Sequence, residues 1–556
     1  MALENIVYDI FTSYSEIEIE SSPEITNTVV FRLGERRFAY LCPHIDNITS
    51  SGLMFALDDI SFDHPHIMLG EIDYQGDSVL PKGKYRSICL HESGSVIYSL
   101  MSYEEKIADS IERLITLMTL SPIQKEREFQ KEFLVYWNNV AQAGKREVYL
   151  DNDNLFSILT VYQNSEGIRY VAPQIRLNDL HHCHNEKDTW RQRLDTAAVF
   201  VPIINNRGVL PPTKDHLWNE KQIIEIICSD ITNHISENTF QQLATLQIIY
   251  NTLDIVFGIQ TTQIPYFFLV RVHFRGNNKL SVLERIRNYI DSVEMLRCKR
   301  KDFAHLNSVI GNGIEKINKN VLLVGAGSLG SYVACELAKN GFRKITIYDG
   351  DDLDSENFMR WYYSGILGGG NKATLIKFYL EKMHSEICID AHNKNIDSIE
   401  LTEKMSLADY IIFTVGSSDT QLRFNRILRE NNCAAKVFFV WLEAGGEYSH
   451  VLRVDYSVSG CYECLFTNDR GDMVNNQANI ADDDIVDLNT IHNGCGATRT
   501  AYGTSVLLRT TSVLLDILNK EEHEKIVNNY VVHIRPDVVK HDNVSFIKEV
   551  CRCCGN

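Results

Sequence analysis

The feature that most constrains this chain is a glycine-rich turn in the stretch NVLLVGAGSLGSYVACELAKNGFRKITIYDGDDLD, which spans residues 320–354. An apolar run leads into Gly325-x-Gly327-x-x-Gly330, and a helix-like segment then leads to a second apolar run that ends at Asp349. The glycines explain a tight turn, close approach of backbone to phosphate, and packing of a helix on a strand. We therefore predict that the C-terminal part of the chain has a Rossmann-like α/β fold.

The turn alone leaves its ligand open. Ser328 is expected to open the helix and Gly341 to close it. Asp349 follows the second strand and is placed to bind a ribose hydroxyl. These features suit NAD, FAD and ATP equally, so the residues downstream must decide between them.

Basic residues follow the turn in a pattern that hydride transfer does not need. Asn357-x-x-Arg360 comes after a run of acidic residues that includes Asp351, and Lys372 comes twelve residues after Arg360. Attack on the α-phosphate of ATP builds charge on the transferring phosphate and on the departing pyrophosphate, and two cations stabilise that charge. The pattern favours ATP.

A further strand, ADYIIFTVGSSD, predicts that Asp419 lies at the carboxyl end of a strand beside the same crevice. A carboxylate there suits a magnesium ion bound to the triphosphate.

From about Asn320 to its C-terminus, the chain resembles the E1-like (ThiF-type) adenylating superfamily, which includes ubiquitin-activating enzymes and bacterial enzymes that adenylate sulfur-carrier proteins. That resemblance implies adenylation of the C-terminal carboxylate of a ubiquitin-fold protein, Mg²⁺-ATP as cofactor, and a homodimer. The residues that carry it are Gly325, Gly327, Gly330, Asp349, Asp351, Asn357, Arg360, Lys372 and Asp419.

Six of the fourteen cysteines lie between Cys461 and Cys554. Cys461-x-x-Cys464 and the terminal CRCCGN, with Cys551, Cys553 and Cys554, supply two pairs of thiols. Two such pairs can hold one tetrahedral zinc ion, as is typical of many bacterial enzymes of this superfamily. The spacing leaves open whether Cys553 or Cys554 is the fourth ligand.

Cys495 stands apart in HNGCGATRT, between two glycines and before an apolar helix. A thiol flanked by glycines is accessible, and His492 and Arg499 favour its thiolate form. In the thioester-forming enzymes that this chain resembles, the catalytic cysteine follows the adenylation strands in the same way. We predict that Cys495 is a nucleophile; an ordinary loop cysteine is the alternative.

The N-terminal segment contains a second candidate nucleophile, Cys89, which follows loop-rich sequence and precedes two predicted helices. This order is similar to that of the ubiquitin-conjugating (E2) fold, in which Cys89 would be the catalytic cysteine. His64-Pro65-His66 stands where that family has His-Pro-Asn, so the asparagine that stabilises the oxyanion is missing and His66 is a loose substitute. The alternative is a buried strand cysteine in SICL.

Local patterns predict several elements of this N-terminal α+β domain. VVFRLGERRFAYL predicts a hairpin that turns at Gly34. Ser102-x-x-Glu105 is a capping box that opens a helix. KEREFQKEFLVYWNNVAQAG predicts one further helix that ends at Gly144.

We predict three domains: an E2-like domain over residues 1–145, a middle α+β linker domain over 146–301 and the E1-like domain over 302–556. In the middle domain, the HHCH run over residues 181–184 has metal-ligand residue types. Adjacent ligands do not easily face one ion, so a polar loop is the better interpretation.

Composition limits the partners. Lysine and arginine number 55 against 73 aspartate and glutamate, a net charge of −18 that argues against nucleic acid. The apolar runs are too short to span a membrane, and the N-terminus has no signal-peptide pattern, so we predict a cytoplasmic protein.

Together the three segments resemble the fused E1–E2 enzymes of bacterial antiphage operons, including CBASS systems. The resemblance implies that the C-terminus of a cGAS-like nucleotidyltransferase, or of a ubiquitin-like protein, is conjugated to a target lysine amine. The alternatives are a sulfur-carrier adenylyltransferase whose N-terminal half is a binding module, and an inactive E1-like scaffold. The intact set of Arg360, Lys372 and Asp419 argues against the scaffold.

Overall fold

The structure is a computed structural model. It describes residues 3–20, 28–44, 50–58, 64–67, 70–76, 79–91, 95–141, 144, 146–150, 152–165, 167–173, 191–213, 216–229, 233–260, 265–276, 279–311, 315–363, 369–384, 386–481, 490–492, 498–500, 502–542 and 544–555. The chain forms two compact units, and the three-domain division predicted from the sequence stays a prediction. The first unit comprises residues 1–146, 153–159 and 194–299, and the second comprises 147–152, 160–193 and 300–556.

The N-terminal part of the first unit is an antiparallel sheet with helices before and after it. Its six strands have the order β1-β2-β3-β4-β6-β5. The elements are α1 (Leu3–Thr12), β1 (Ile17–Ile19), β2 (Thr28–Leu33), β3 (Arg36–Leu41), β4 (Leu53–Ala56), β5 (Gly70–Tyr74), β6 (Gly83–Ile88), α2 (Tyr103–Met118), α3 (Pro122–Lys131) and α4 (Phe133–Val140).

Two local predictions in this region are confirmed. β2 and β3 form the hairpin, and Gly34 takes the positive φ of 60° that its turn requires. α2 begins at the Ser102–Glu105 capping box, in which each side chain bonds the other residue's backbone N–H. The apolar side chains of α2 pack on the sheet and bury Ile107 and Ile111 completely.

The single helix predicted to end at Gly144 is wrong. The chain forms α3 and α4 instead, separated at Glu132, and α4 ends at Val140. Ser121 and Gln124 cap the start of α3, where Pro122 fits because its missing N–H is not needed. At this break, the Glu132 carboxylate lies 3.1 Å from His66 Nδ1.

The middle of the chain adds strands and short helices. Within the first unit, β11 to β14 follow one another in a sheet whose first pair is parallel and whose other pairs are antiparallel. The elements are β7 (Arg146–Tyr149), β8 (Ser157–Gln163), β9 (Ile168–Val171), β10 (Arg191–Gln192), β11 (Ala197–Ile203), α5 (Glu220–Cys228), α6 (Glu237–Thr245), β12 (Thr252–Ile259), β13 (Tyr266–Phe274), α7 (Val282–Asn288), β14 (Ile290–Leu296) and β15 (Lys299–Arg300). The HHCH run, residues 181–184, lies outside the described residues.

The rest of the second unit has the predicted α/β architecture. Its elements are α8 (Phe303–Val309), β16 (Asn320–Val324), α9 (Ser328–Lys339), β17 (Lys344–Tyr348), α10 (Lys372–Met383), β18 (Cys388–His392), α11 (Ser398–Met405), β19 (Tyr410–Phe413), α12 (Ser418–Glu430), β20 (Lys436–Leu442), β21 (Ser449–Val454), β22 (Thr490–His492), β23 (Thr498–Thr500), α13 (Thr504–His523), β24 (Tyr530–Ile534) and β25 (Val539–Asp542).

The large sheet of this unit has the order β18-β17-β16-β19-β20-β21-β24-β25. The first five strands are parallel and the last three antiparallel. Alternate residues of β16 enter apolar cores on opposite faces, with Leu323 in one and Leu322 in the other. Strand order reverses between β16 and β19, and ligands of open α/β sheets bind at such a switch point.

No helix within the described ranges is both long enough and apolar enough to cross a membrane.

Candidate functional site

The glycine turn lies at the carboxyl end of β16, and its three glycines meet three different constraints. Gly325 has a φ of 99°, and a Cβ there would lie 3.0 Å from Thr414 Oγ1. A Cβ at Gly330 would lie only 2.1 Å from the Gly325 carbonyl oxygen, so α9 can pack on the turn only with glycine. A Cβ at Gly327 would meet no atom of the described residues within 4 Å, so among them that side has room for a ligand.

The start of α9 differs from the prediction by one position. Gly327 is the cap residue, and Ser328 is the first helical residue and makes no capping bond. The helix N-terminus therefore presents backbone N–H groups at a glycine, which is the arrangement that binds anions. Gly341 follows the helix with a φ of 101°, as predicted for its C-terminus.

Ala326 is the centre of the network that holds the turn. Its N–H donates to Asp349 Oδ2 at 2.6 Å, and its carbonyl oxygen accepts from Trp361 Nε1 at 2.9 Å. Asp349 Oδ1 also accepts from Asp351 N at 2.9 Å. Burial raises the pKa of Asp349, although these backbone hydrogen bonds oppose the rise. Each carboxylate oxygen keeps lone pairs for a ribose hydroxyl, and that role stays a prediction.

Trp361 belongs to this network, and the sequence analysis did not single it out. Trp361 is buried, and its indole N–H bonds the strand-to-helix turn although it lies well after the glycine motif in the sequence. Its position next to Arg360 is the only signal in the sequence, because a buried tryptophan otherwise indicates core packing.

Arg360 lies close to this network. Its Nη2 donates to Asn357 Oδ1 at 3.3 Å, and its guanidinium carbon lies 4.9 Å from the centre of the Tyr502 ring. The ring face is electron-rich and attracts the cation. Arg360 is thus held beside Trp361, whose indole reaches the glycine turn.

Lys372 is the first residue of α10 and is nearly buried. Its Nζ donates to Asp351 Oδ2 at 2.9 Å; 10% of the Lys372 side chain and 74% of the Asp351 side chain are exposed. Asn371, which caps α10, donates to the carbonyl oxygens of Asp349 and Asp351 at 2.8 and 3.1 Å. This amide joins Lys372 to the loop after β17, and the sequence analysis did not single it out.

Asp419 does not end a strand as predicted. It is an exposed residue in the first turn of α12, six positions after Phe413 ends β19. Asp419 nevertheless follows the same end of the sheet as the glycine turn. The segment between β19 and α12 begins at Thr414, whose hydroxyl donates to the Gly325 carbonyl oxygen at 2.8 Å. The magnesium role stays a prediction.

These features define a Rossmann-like α/β domain in which Arg360 and Lys372 are bonded within the chain that follows β17. Residues 303–550 match the family model described as "ThiF family". The C-terminal half of the chain thus contains a ThiF-family, E1-like domain, in agreement with that part of the resemblance.

Curated relatives match part of the chain. The chain is 25% identical over 172 residues to "Ubiquitin-like modifier-activating enzyme 5" of Caenorhabditis elegans, covering 28% of this chain and 40% of that protein. It is 27% identical over 166 residues to "Adenylyltransferase and sulfurtransferase MOCS3" of Anopheles gambiae, covering 29% and 36%. The chain thus spans well under half of the length of these relatives.

Among solved structures, the chain is similar to "Crystal structure of E. coli MccB + ATP". The sequence identity is 21% and the TM-score 0.34, and the match covers 44% of this chain and 68% of that one.

Four buried cysteines form a candidate metal centre. The Sγ atoms of Cys461, Cys464, Cys551 and Cys554 all lie within 4.8 Å of one another. A tetrahedral zinc ion with Zn–S bonds of about 2.3 Å places its ligands roughly 3.8 Å apart, so the cluster fits. Cys553 lies outside the cluster and its Sγ accepts from Asn425 Nδ2 at 3.2 Å, so Cys554 is the better fourth ligand.

Cys495 lies outside the described residues. The flanking segments form the short antiparallel pair β22 and β23, in which His492 pairs with Thr498. The apolar helix predicted after this segment is confirmed as α13. The nucleophile prediction for Cys495 stays a prediction.

In the first unit, Cys89 is exposed and lies just beyond β6, so the alternative of a buried strand cysteine is wrong. Its backbone N–H donates to the His66 carbonyl oxygen at 3.0 Å. The sequence separates these residues widely, but the β5–β6 hairpin fills the interval and returns the chain to His66. The nucleophile role of Cys89 stays a prediction.

His66 has a positive φ of 68°, which is uncommon for a residue other than glycine. Its ring lies between two carboxylates, with Nδ1 3.1 Å from Glu132 Oε2 and Nε2 3.4 Å from Glu128 Oε2. Burial opposes a charge on the ring, but hydrogen bonds and attraction from Glu132 and Glu128 prevail and raise the pKa of His66.

Proposed function

We propose that this chain is an ATP-dependent adenylating enzyme that activates a protein's C-terminal carboxylate and passes it, as a thioester, to an amine. The observation that carries the proposal is the glycine turn at Gly327 together with two cations on the chain that follows β17. Arg360 bonds Asn357, and Lys372 bonds Asp351. The backbone N–H of Asp351 donates to Asp349, whose carboxylate holds the turn at Ala326. Binding of a dinucleotide for hydride transfer needs neither cation.

The first step is attack of the substrate carboxylate on the α-phosphate of ATP. An acyl–adenylate forms as the bond from the α-phosphate to pyrophosphate breaks. Backbone N–H groups at the start of α9 bind phosphate, and Arg360 and Lys372 neutralise the charge that develops. The exposed carboxylate of Asp351 holds Lys372 until phosphate takes its place. Asp419 would hold a magnesium ion, which supplies further positive charge to the triphosphate.

Two thiols then carry the acyl group. The Cys495 thiolate attacks the acyl carbonyl and AMP leaves. The Cys89 thiolate next attacks that thioester, and the Cys495 thiolate leaves. Finally a target amine attacks the Cys89 thioester, releases the Cys89 thiolate and loses its proton to solvent.

Zinc belongs to the proposal as a structural ion. Cys461, Cys464, Cys551 and Cys554 would tie the C-terminus of the chain to the segment after β21. Four thiolates fill a tetrahedral shell and leave no open position for catalysis.

The substrate, its target and the cellular setting also belong to the proposal. We favour the C-terminal tail of a cGAS-like nucleotidyltransferase or of a ubiquitin-like protein as the substrate, and a lysine as the target. A homodimer in the cytoplasm, acting in antiphage defence, completes the proposal. The name of the Caenorhabditis relative, a ubiquitin-like modifier-activating enzyme, supports a protein tail as the substrate.

A sulfur-carrier adenylyltransferase is the second candidate, favoured by the similarity to the Anopheles adenylyltransferase and sulfurtransferase. It would end at the acyl–adenylate or pass the acyl group to sulfur. Cys89 would then have no part in the reaction.

ATP–pyrophosphate exchange tests the first step, with a ubiquitin-like protein and a cGAS-like nucleotidyltransferase offered in turn. Arg360→Ala and Asp419→Ala should each lower exchange by about a hundredfold, because each removes charge stabilisation. Cys495→Ala should retain exchange, since adenylation precedes the thiol step. Asp516→Ala, an exposed aspartate on α13, is the matched control. Loss of exchange in folded Cys495→Ala would contradict the order of steps.

Non-reducing gels test the transfer. With ATP and substrate, the wild-type protein should form reducible adducts on Cys495 and Cys89. Cys89→Ala should keep the Cys495 adduct and lose conjugation to amines, whereas Cys495→Ala should form neither adduct. Undiminished conjugation by Cys89→Ala would favour the sulfur-carrier candidate.

A further inference from the structure

Acyl transfer from Cys89 to an amine needs a hydrogen-bond donor for the oxyanion, and the sequence analysis found no clear candidate. The amine attacks the thioester carbonyl, and negative charge develops on its oxygen in the tetrahedral intermediate. A hydrogen-bond donor aimed at that oxygen is among the largest contributions to such reactions. The asparagine that supplies it in ubiquitin-conjugating folds is absent from His64-Pro65-His66.

The imidazole of His66 is not available for this task. Its two ring nitrogens already face the carboxylates of Glu132 and Glu128. A donor bonded to a carboxylate would have to break an ion pair before it could serve an oxyanion. The backbone of His66, in contrast, contacts the cysteine, since its carbonyl oxygen accepts from Cys89 N.

Tyr136, on α4, is bonded to that backbone. The Tyr136 hydroxyl oxygen accepts from His66 N at 2.9 Å. The His66 carbonyl oxygen accepts from Cys89 N at 3.0 Å. The Tyr136 phenol and Cys89 are thus bonded to the backbone N–H and the backbone carbonyl oxygen of His66, respectively. Tyr136 is buried, so its hydroxyl keeps a fixed position.

The Tyr136 hydroxyl is protonated and has a hydrogen to give. Burial raises its pKa well above the ordinary value, against the hydrogen bond from His66, and the charges of Glu132 and Cys89 raise it further. Across the described part of the chain, no residue accepts the Tyr136 hydroxyl hydrogen, whose oxygen accepts from His66.

We propose that Tyr136 is a catalytic residue that donates its hydroxyl hydrogen bond to the oxyanion formed at the acyl group on Cys89. The proposal rests on the proposed role of Cys89 as a nucleophile. Accepting from His66 N polarises the O–H bond and strengthens it as a donor. The hydroxyl keeps its proton throughout, so the atoms and charges of the transfer are unchanged.

The test uses the full-length protein and a small acyl donor, p-nitrophenyl acetate. The Cys89 thiolate attacks the acetyl carbonyl and nitrophenolate leaves; free L-lysine then takes the acetyl group and releases the thiolate. Mass spectrometry of the peptide that contains Cys89 measures both steps at this cysteine and separates them from acetylation of other cysteines. Tyr136→Phe should slow discharge to L-lysine by about tenfold to a hundredfold, the effect of losing one oxyanion donor.

Two controls separate chemistry from structure. Alkylation of Cys89 by iodoacetamide displaces iodide and develops no oxyanion, so Tyr136→Phe should leave its rate within twofold of wild type. Tyr40→Phe is the matched variant, because Tyr40 is a buried tyrosine of the same unit whose hydroxyl bonds the Ser51 carbonyl oxygen. It should leave both rates unchanged.

Discharge by Tyr136→Phe at the wild-type rate would overturn the proposal, as would an equal loss of discharge and alkylation, which indicates a collapsed site. Failure of the proposed function has a different signature. In that case ATP and the protein substrate would produce no adduct on Cys89, while the acetyl assay would still distinguish Tyr136→Phe from Tyr40→Phe.

Discussion

The glycine turn of the second unit and the Cys89 centre of the first are each organised around the backbone of one residue. Ala326 donates to Asp349 and accepts from Trp361. His66 donates to Tyr136 and accepts from Cys89. The difference lies in the side chain of the central residue, which is a methyl group in one case and a titratable ring in the other.

This difference teaches how each site keeps its shape. Steric fit and backbone hydrogen bonds fix the turn at Ala326, so its shape depends on which side chains are small. Ion pairs of His66 with Glu128 and Glu132 fix the Cys89 centre, so its shape depends on protonation. Substitutions of glycine should therefore damage the first site most, and titration of histidine should affect only the second.

The largest effect should come from Gly330→Ala. The added Cβ would lie 2.1 Å from the Gly325 carbonyl oxygen, so the turn must move, at a cost of about 3 kcal/mol in unfolding free energy. Gly327→Ala meets open space and should cost about 1 kcal/mol or less. Thermal melting measures stability, and calorimetric titration with ATP should show weak binding by both. Equal stability of the two variants would break the steric account of the turn.

The second largest effect should come from removal of the metal, which should lower the melting temperature without changing the Cys89 centre. Freshly purified protein should contain about one zinc ion per chain, and Cys461→Ser with Cys464→Ser should abolish it and lower the melting temperature. Plasma mass spectrometry measures the metal. Cys553→Ser is the control and should keep its zinc, while alkylation of Cys89 should be unaffected by any of these changes. Zinc-free wild-type protein would disprove the metal site.

Asp349→Asn should have an intermediate effect. An amide of the same size accepts at only one of its two positions, so the N–H of Ala326 or of Asp351 loses its partner. We expect about 1 to 2 kcal/mol lower stability by denaturant titration. Asp516→Asn, exposed on α13, should change nothing. If Asp349→Asn behaves like this control, the carboxylate does not hold the turn.

The smallest effect should be the pH dependence of the Cys89 centre. The pKa of His66 is raised in the folded protein, so its stabilising contribution is complete below the ordinary histidine pKa and is lost as pH rises through the raised value. Hydrogen exchange of the Cys89 amide should therefore quicken over that interval. Glu132→Gln should weaken this dependence, whereas exchange of the Ala326 amide should show none from this source. An unchanged profile in Glu132→Gln would contradict the ion-pair account.

The sequence predicted the glycine turn well because its parts are contiguous: strand, three glycines, helix and Asp349 lie within one short stretch. It did not reveal Trp361, since a tryptophan beside other aromatic residues looks like ordinary core. The zinc cluster followed from two cysteine pairs, but the choice of Cys554 over Cys553 depends on how the last turn of chain is oriented.

The Cys89 centre was less predictable because its residues are far apart in the sequence. Tyr136 lies on a helix at a spacing typical of a buried face, so its hydroxyl gave no signal. The helix itself was predicted wrongly: the chain breaks at Glu132, whose contact with His66 is a tertiary one that a local pattern does not contain.

The β5–β6 hairpin between His66 and Cys89 has a consequence for protein engineering. The hydrogen bond from Cys89 N to the His66 carbonyl oxygen joins the two chain segments at the base of the hairpin. Residues at the turn of the hairpin do not take part in this hydrogen bond. Surface hairpin ends tolerate inserted sequence well. A peptide tag or fluorophore at Gln75, an exposed residue just after β5, would thus report on the Cys89 centre from outside it.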